Sequence, residues 1–210
     1  PASKLPDLVV YECEQSSPEW LAARLGLATA SVFSAILASS SDQKGRTTLL
    51  RKLAGEIVTG EPMENYVSKD MERGKEFEPQ IREWYAQSKF ADVRQVGFIY
   101  NPAINAGCSP DGLIGDDGMI EIKWASPHVM IEILERGTLP MQHRPQCHGA
   151  LWVCRRQWID LTIYSHPKMP KFVARLERNP TYEKEISDAI EVFNYDLKRL
   201  VQKLQAMGAA

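Results

Sequence analysis

Cysteine and histidine are scarce in this chain of 210 residues, and neither is spaced for chemistry. Cys13, Cys108, Cys147 and Cys154 form no Cys-x-x-Cys pair, and His128, His143, His148 and His166 form no His-Glu-x-x-His pattern. These absences argue against a disulfide scaffold and against a zinc enzyme, and leave buried free thiols as the expectation. No apolar run approaches the roughly 20 residues needed to span a bilayer, and the polar N-terminal stretch is broken by Pro1 and Pro6. A soluble intracellular protein with no membrane partner is expected. Internal repeats and low-complexity tracts are also missing, so the 44% of hydrophobic residues points to one sizeable core. Finally, there is no excess of charge: the net charge is −2 and the isoelectric point about 6.2. This argues against a DNA-coating protein of the histone kind, but does not exclude an enzyme that grips nucleic acid in a confined site.

What is present is concentrated in residues 109–124. Ser109, Pro110, Asp111, Gly112, Leu113 and Ile114 lead into the cluster Gly115, Asp116, Asp117, Gly118, followed by Met119, Ile120, Glu121, Ile122, Lys123 and Trp124. Two apolar runs around a Gly/Asp cluster predict a hairpin. In the second run a period of two sets Ile120, Ile122 and Trp124 on one face and Glu121 and Lys123 on the other. With a three-residue turn, Asp111 stands opposite Glu121, Cβ atoms roughly 4.5 to 5.5 Å apart. Two such carboxylates repel unless a hard cation lies between them, and a lysine two residues on can reach a metal-bound water or a phosphate oxygen. Each half alone is an ordinary turn or an ordinary amphipathic strand. Together they resemble the Pro-Asp … (Asp/Glu)-x-Lys signature of the restriction-endonuclease-like nuclease superfamily.

Ahead of the hairpin, Ser16 and Glu19 fit a capping box with Pro18 in the first turn of a helix that carries Trp20, Leu21 and Arg24 and stops at Gly26. Thr29, Ala30 and Ser31 open an apolar helix over 32–38, where the hydroxyls either cap the helix or receive a phosphate beside Arg24. The set Glu14, Gln15, Trp20, Arg24, Leu25, Gly26, Thr29, Ala30, Ser31 resembles the phosphate-binding segment of the phage lambda exonuclease family, the viral-recombinase-type alkaline exonucleases. Gly74, Lys75, Glu76, Phe77 and Glu78 are similar to a second motif of that family. Its active-site run is matched by Cys108 to Leu113 and by Glu121, Ile122 and Lys123.

The remaining elements follow from pattern. Residues 39–46 read as a polar loop in which Arg46 is either a DNA contact or a solvated surface group, and 47–58 as a helix ended by Thr59 and Gly60. A helix over 70–85 gathers Met71, Gly74, Glu78 and Ile81 on one face, with Pro79 as an expected kink. Residues 93–100 read as one strand, 129–136 as a helix stopped by Gly137, and Pro145 opens a helix with Gln146 and His148. Strands are expected over 157–165 and 171–177. A long helix from Asn179 and Pro180 carries Ile186, Ile190, Phe193, Leu197, Leu200, Leu204 and Met207 as a stripe that packs on its own domain.

The resemblance implies an α/β fold, a restriction-endonuclease-like core with a mixed β-sheet flanked by helices. It implies a single nuclease domain over 1–210, with an N-terminal DNA-end-binding segment at about 14–60, a catalytic core at about 70–178 and a C-terminal helix at about 180–208. The implied activity is Mg2+-dependent 5′-to-3′ digestion of one strand of linear double-stranded DNA, with Mn2+ as a substitute and two ions per site. Asp111, Glu121, the Ile122 carbonyl and Glu78 would bind metal, Lys123 would orient or deprotonate water, and Gln146 would orient a water or phosphate oxygen. Arg24, Thr29, Ser31 and Ser109 would take a 5′-phosphate. His148 stands where the family has a second glutamine, and Met71 where it has an apolar wedge. A ring-shaped homotrimer, a single-strand annealing recombinase as partner and a cytoplasmic setting in a bacterial or phage-infected cell complete the expectation. An endonuclease on the same core and a non-catalytic DNA-binding relative are the alternatives.

Overall fold

A computed structural model describes residues 7–38, 43–63 and 69–208, the side chains of 69–71 excepted. Strand β1 (Val9–Tyr11) precedes helix α1 (Pro18–Arg24). Ser17, not Ser16, caps α1, its hydroxyl accepting from the Trp20 N–H, while Ser16 turns into the left-handed region at φ 72°. With Pro18 at the first helical position, the cap belongs to the residue just before it. Strand β2 (Ala28–Thr29) passes through a 3-10 turn, Ala30–Val32, into the short helix α2 (Phe33–Ile36). Helix α3 (Lys44–Thr59) ends on Gly60 as expected but begins three residues earlier, so Arg46 lies inside a helix rather than on a loop. Helix α4 (Lys69–Lys89) runs through Pro79 without a break.

The segment expected as one strand over 93–100 is two, β3 (Val93–Arg94) and β4 (Phe98–Asn101), and they belong to different sheets. Gly97 lies in the crossing. A Cβ there would come within 2.2 Å of the Cys13 carbonyl, so only glycine lets the two segments approach. Strand β5 (Ala106–Cys108), β6 (Gly112–Ile114) and β7 (Gly118–Trp124) follow, then α5 (Pro127–Arg136), a 3-10 turn Met141–His143 and α6 (Arg144–Cys154). Strands β8 (Trp158–Tyr164) and β9 (Phe172–Glu177) and helix α7 (Pro180–Gly208) complete the chain.

One sheet has the order β1-β4-β5-β2 and the other β3-β6-β7-β8-β9. Both are mixed. The β7–β8 pair is parallel, Glu121 beside Leu161 and Lys123 beside Ile163, and the crossover carries α5 and α6. The main core lies on the face of the second sheet that bears Met119, Ile159, Leu161 and Ile163, under α2, α3, α6 and α7. A smaller cluster on the opposite face joins Ile120, Ile122 and Tyr164 to Ile81 and Tyr85 of α4. The expected stripe on α7 is buried at Ile186, Ile190, Phe193 and Leu197; at the next turn Val201 is buried and Leu200 only half-buried, and the stripe runs out into solvent at Leu204 and Met207. Among the described residues no helix is long and apolar enough to cross a membrane.

Candidate active site

Strand β6 pairs with β7 through Gly112–Ile120, Leu113–Met119 and Ile114–Gly118, which leaves the three-residue turn 115–117. Gly115 sits there at φ 50°, a conformation that favours glycine. Continued by one residue, this register sets Asp111 opposite Glu121, on the face of the sheet that α6 covers. Both carboxylates are tethered by one oxygen. Asp111 Oδ2 accepts the Ile122 N–H at 2.6 Å. Glu121, 3% exposed, accepts on Oε1 from Lys123 Nζ at 2.7 Å and from Gln146 Nε2 of α6 at 2.5 Å. No hydrogen bond among the described residues occupies Asp111 Oδ1 or Glu121 Oε2.

Charge explains what this arrangement wants. Burial, then Glu121 and Glu78, push the Asp111 carboxyl well above its ordinary range. Burial alone would lower the Lys123 ammonium, but Glu121 and Asp111 reverse that and hold it above its usual value. Glu78 is also raised, first by burial, with Glu121 adding to the shift and Arg82 opposing it. Glu78 comes from α4, on the other face of the sheet, and its carboxylate is bound by Arg82 one helical turn on. Among the described residues no three His, Cys, Asp or Glu side chains converge as a metal cage. What converges is a pair of carboxylates with one oxygen apiece, a donor set that suits Mg2+, which takes one or two protein carboxylates and keeps its waters.

Next to Asp111 in the chain, Ser109 anchors a cluster built around one cation. The Arg24 guanidinium stacks 4.0 Å from the Trp20 ring centre and 5.7 Å from that of Phe98, and Nη1 donates to Ser109 Oγ at 2.7 Å. Trp20 Nε1 donates to the same hydroxyl at 2.9 Å and to the Gly97 carbonyl at 3.1 Å, while Gln15 Nε2 donates to the Pro110 carbonyl at 3.2 Å. Helix α1 is thus bolted to Ser109, and the turn ahead of it to Pro110, the two residues that precede Asp111. Burial draws the Arg24 guanidinium below its ordinary value, and its hydrogen-bond partner is a neutral hydroxyl rather than an acid. Thr29 ends β2 beside Gly107, and its hydroxyl pairs with that of Ser31 at 3.1 Å.

Two expected contacts stand elsewhere, and a third falls outside the described side chains. Arg46 forms an ion pair with Asp196 of α7 at 2.7 Å and lies over the Phe193 ring, a bond between α3 and α7 rather than a free basic loop. His148 is buried, 4% exposed, with its ring edge-on to Tyr182 at 5.1 Å between centroids. Residues two apart on a helix point about 200° from one another, so His148 faces away from the side on which Gln146 reaches Glu121. Burial and then Arg144 lower its pKa. Met71 is on α4, but its side chain lies outside the described residues. Arg82 and His143 were missed. The Glu78/Arg82 spacing of four on a helix was a readable signal, whereas the approach of His143 to Lys123 follows only from the 3-10 turn.

The fold and this charged hairpin place the chain among nucleases with a restriction-endonuclease-like core. LHK-Exo, an alkaline exonuclease of Laribacter hongkongensis, matches it with 31% identity over 92% of this chain and 98% of its own, with a TM-score of 0.83, and 0.84 in its complex with dAMP. A phage-related exonuclease of Haemophilus somnus 129PT shares the fold at 11% identity, covering 85% of this chain and 96% of its own with a TM-score of 0.65. No curated protein is similar enough in sequence to match. The YqaJ-like viral recombinase domain matches residues 19–157, and the chain belongs to that family.

Proposed function

We propose that this nuclease is a Mg2+-dependent exonuclease that digests one strand of linear double-stranded DNA from a phosphorylated 5′ end. It releases mononucleotides and leaves a 3′ single strand for a single-strand annealing recombinase. The observation that carries the reading is the Arg24 guanidinium held on Ser109. A partly buried guanidinium whose hydrogen-bond partner is a neutral serine hydroxyl attracts an anion, and Ser109 is two residues from Asp111. A terminal phosphate on Arg24 and Ser109, with the Thr29 and Ser31 hydroxyls near the same strand ends, sets the next phosphodiester toward the carboxylate pair. That the relative LHK-Exo has been seen with a mononucleotide, dAMP, agrees with a product of this kind.

Asp111, Glu121 and the Ile122 carbonyl would hold one ion, with Glu78 serving a second ion or its waters. When bound, such ions neutralise charge on the scissile phosphate and the leaving oxygen and make water a better nucleophile. The chain's own groups do the positioning. Gln146 keeps one Glu121 oxygen engaged so that the other faces the substrate. The Ile122 N–H does the same for Asp111. Lys123 is an ammonium and donates hydrogen bonds, so it orients the attacking water and steadies the phosphate. Mn2+ would substitute for Mg2+, the working assembly would be a ring-shaped homotrimer, and the setting would be the cytoplasm.

The test is digestion of a linear duplex labelled separately at each 5′ and 3′ end, with Mg2+ or EDTA, beside a closed circle and Lys123→Ala. Mononucleotides released from phosphorylated 5′ ends alone, and lost with EDTA or Lys123→Ala, are expected. Cutting of the circle would make the protein an endonuclease, and inertness on every DNA would leave a binding protein.

A further inference from the structure

We infer that Arg82 is a positioning residue that sets both halves of the cation site from one rigid plane. All three nitrogens of its guanidinium are engaged. Nε donates to the backbone carbonyl of Asp111 at 2.6 Å, and Nη2 donates to the Glu78 carboxylate. With the Gln95 amide oxygen turned toward it, Nη1 and Nη2 each donate there at 3.2 Å. The Arg82 side chain is only 11% exposed, so these bonds are made out of bulk water.

Each partner belongs to a different part of the fold. Glu78 is on α4, one turn before Arg82, on the face of the sheet opposite the carboxylate pair. Asp111 is the residue just before β6, where strand pairing has not yet fixed the backbone. Gln95 is in the crossing between β3 and β4, where the chain passes from one sheet to the other. The fork therefore joins the helix that carries one acid to the backbone that carries another, and braces both against the link between the sheets. It also decides how Glu78 can act. With one oxygen held by Arg82, this carboxylate offers a single oxygen to an ion or to its water, as Asp111 and Glu121 do. A lysine would keep the positive charge, but one ammonium cannot reproduce a planar fork with donors on three nitrogens.

This rests on the cation-dependent reading above, and calorimetric titration of Mn2+ and of Mg2+ into DNA-free protein separates the two. Failure of the wild-type chain to bind either ion would remove that reading itself. With binding established, Arg82→Lys is expected to weaken it about 10- to 100-fold, the range for residues that orient metal ligands. Gln95→Leu, which leaves the charge and the Glu78 contact in place, is expected to weaken it less, and keeps the test available should Arg82→Lys fold poorly. In both variants kcat should recover as the ion is raised, with KM for DNA unchanged. Arg82→Lys and Gln95→Leu with wild-type affinity would overturn the inference. So would tighter binding in Arg82→Gln, because that would reduce Arg82 to a charge that competes with the ion.

Discussion

At the residue scale, the site holds more negative charge than its solvation supports, and this separates stability from activity. Asp111→Asn keeps an oxygen to accept the Ile122 N–H but removes a buried charge beside Glu121. It is expected to raise the unfolding midpoint of cation-free protein by about 2 °C or more in scanning calorimetry while abolishing nuclease activity. Lys123→Ala should lower kcat by about 10²- to 10³-fold, the usual worth of one positioned hydrogen-bond donor at developing charge, read in the labelled-duplex assay. His143 gives the pH dependence. Burial, and then the Lys123 charge, lower its pKa from 6.5 to about 4. The unfolded chain therefore binds the extra proton first, and stability should fall as the pH drops from about 6.5 to about 4. Urea titrations across that window should show the fall, and His143→Asn should flatten it.

Elements position these residues through contacts that the local pattern only half announces. Pro79 is a clear helix breaker in sequence, yet α4 continues through it. Tyr164 of β8 donates to the Gly74 carbonyl at 3.0 Å and to that of Arg73 at 3.3 Å, holding the turn ahead of the proline. Tyr164→Phe is expected to cost about 0.5–1.5 kcal/mol in urea unfolding, with activity falling further than stability because Glu78 lies on that stretch of helix. Gly97 is the matching constraint on the other side of the site. An alanine Cβ 2.2 Å from the Cys13 carbonyl should cost about 1–3 kcal/mol and displace Trp20, which binds both Gly97 and Ser109. Hydrogen exchange would show α1 and the chain around Ser109 loosening together in Gly97→Ala.

For the whole molecule the proposed activity raises the question of how a protein of net charge −2 would stay on a polyanion. The proposed ring would answer it topologically, since a trapped duplex would leave only by its end. Light scattering at micromolar concentration is expected to give about three times the 23.7 kDa of one chain; a monomeric mass would remove the ring and with it this explanation of retention on DNA.

The hairpin, its three-residue turn, the facing of Asp111 and Glu121, and the Gly-stopped helices were legible in the sequence because each depends on neighbours a few residues apart. Period two, turn chemistry and helix stops are local properties, and local chemistry is what a sequence states directly. The division of 93–100 between two sheets, the parallel β7–β8 pairing, the turning of His148 toward Tyr182 and the pairing of Arg46 with Asp196 were decided by tertiary structure. So was the meeting of Arg24, Arg82 and Gln146 with one hairpin. Each of these joins groups far apart along the chain, and which distant partner a side chain finds depends on how helices and sheets pack together, which no short window of residues contains.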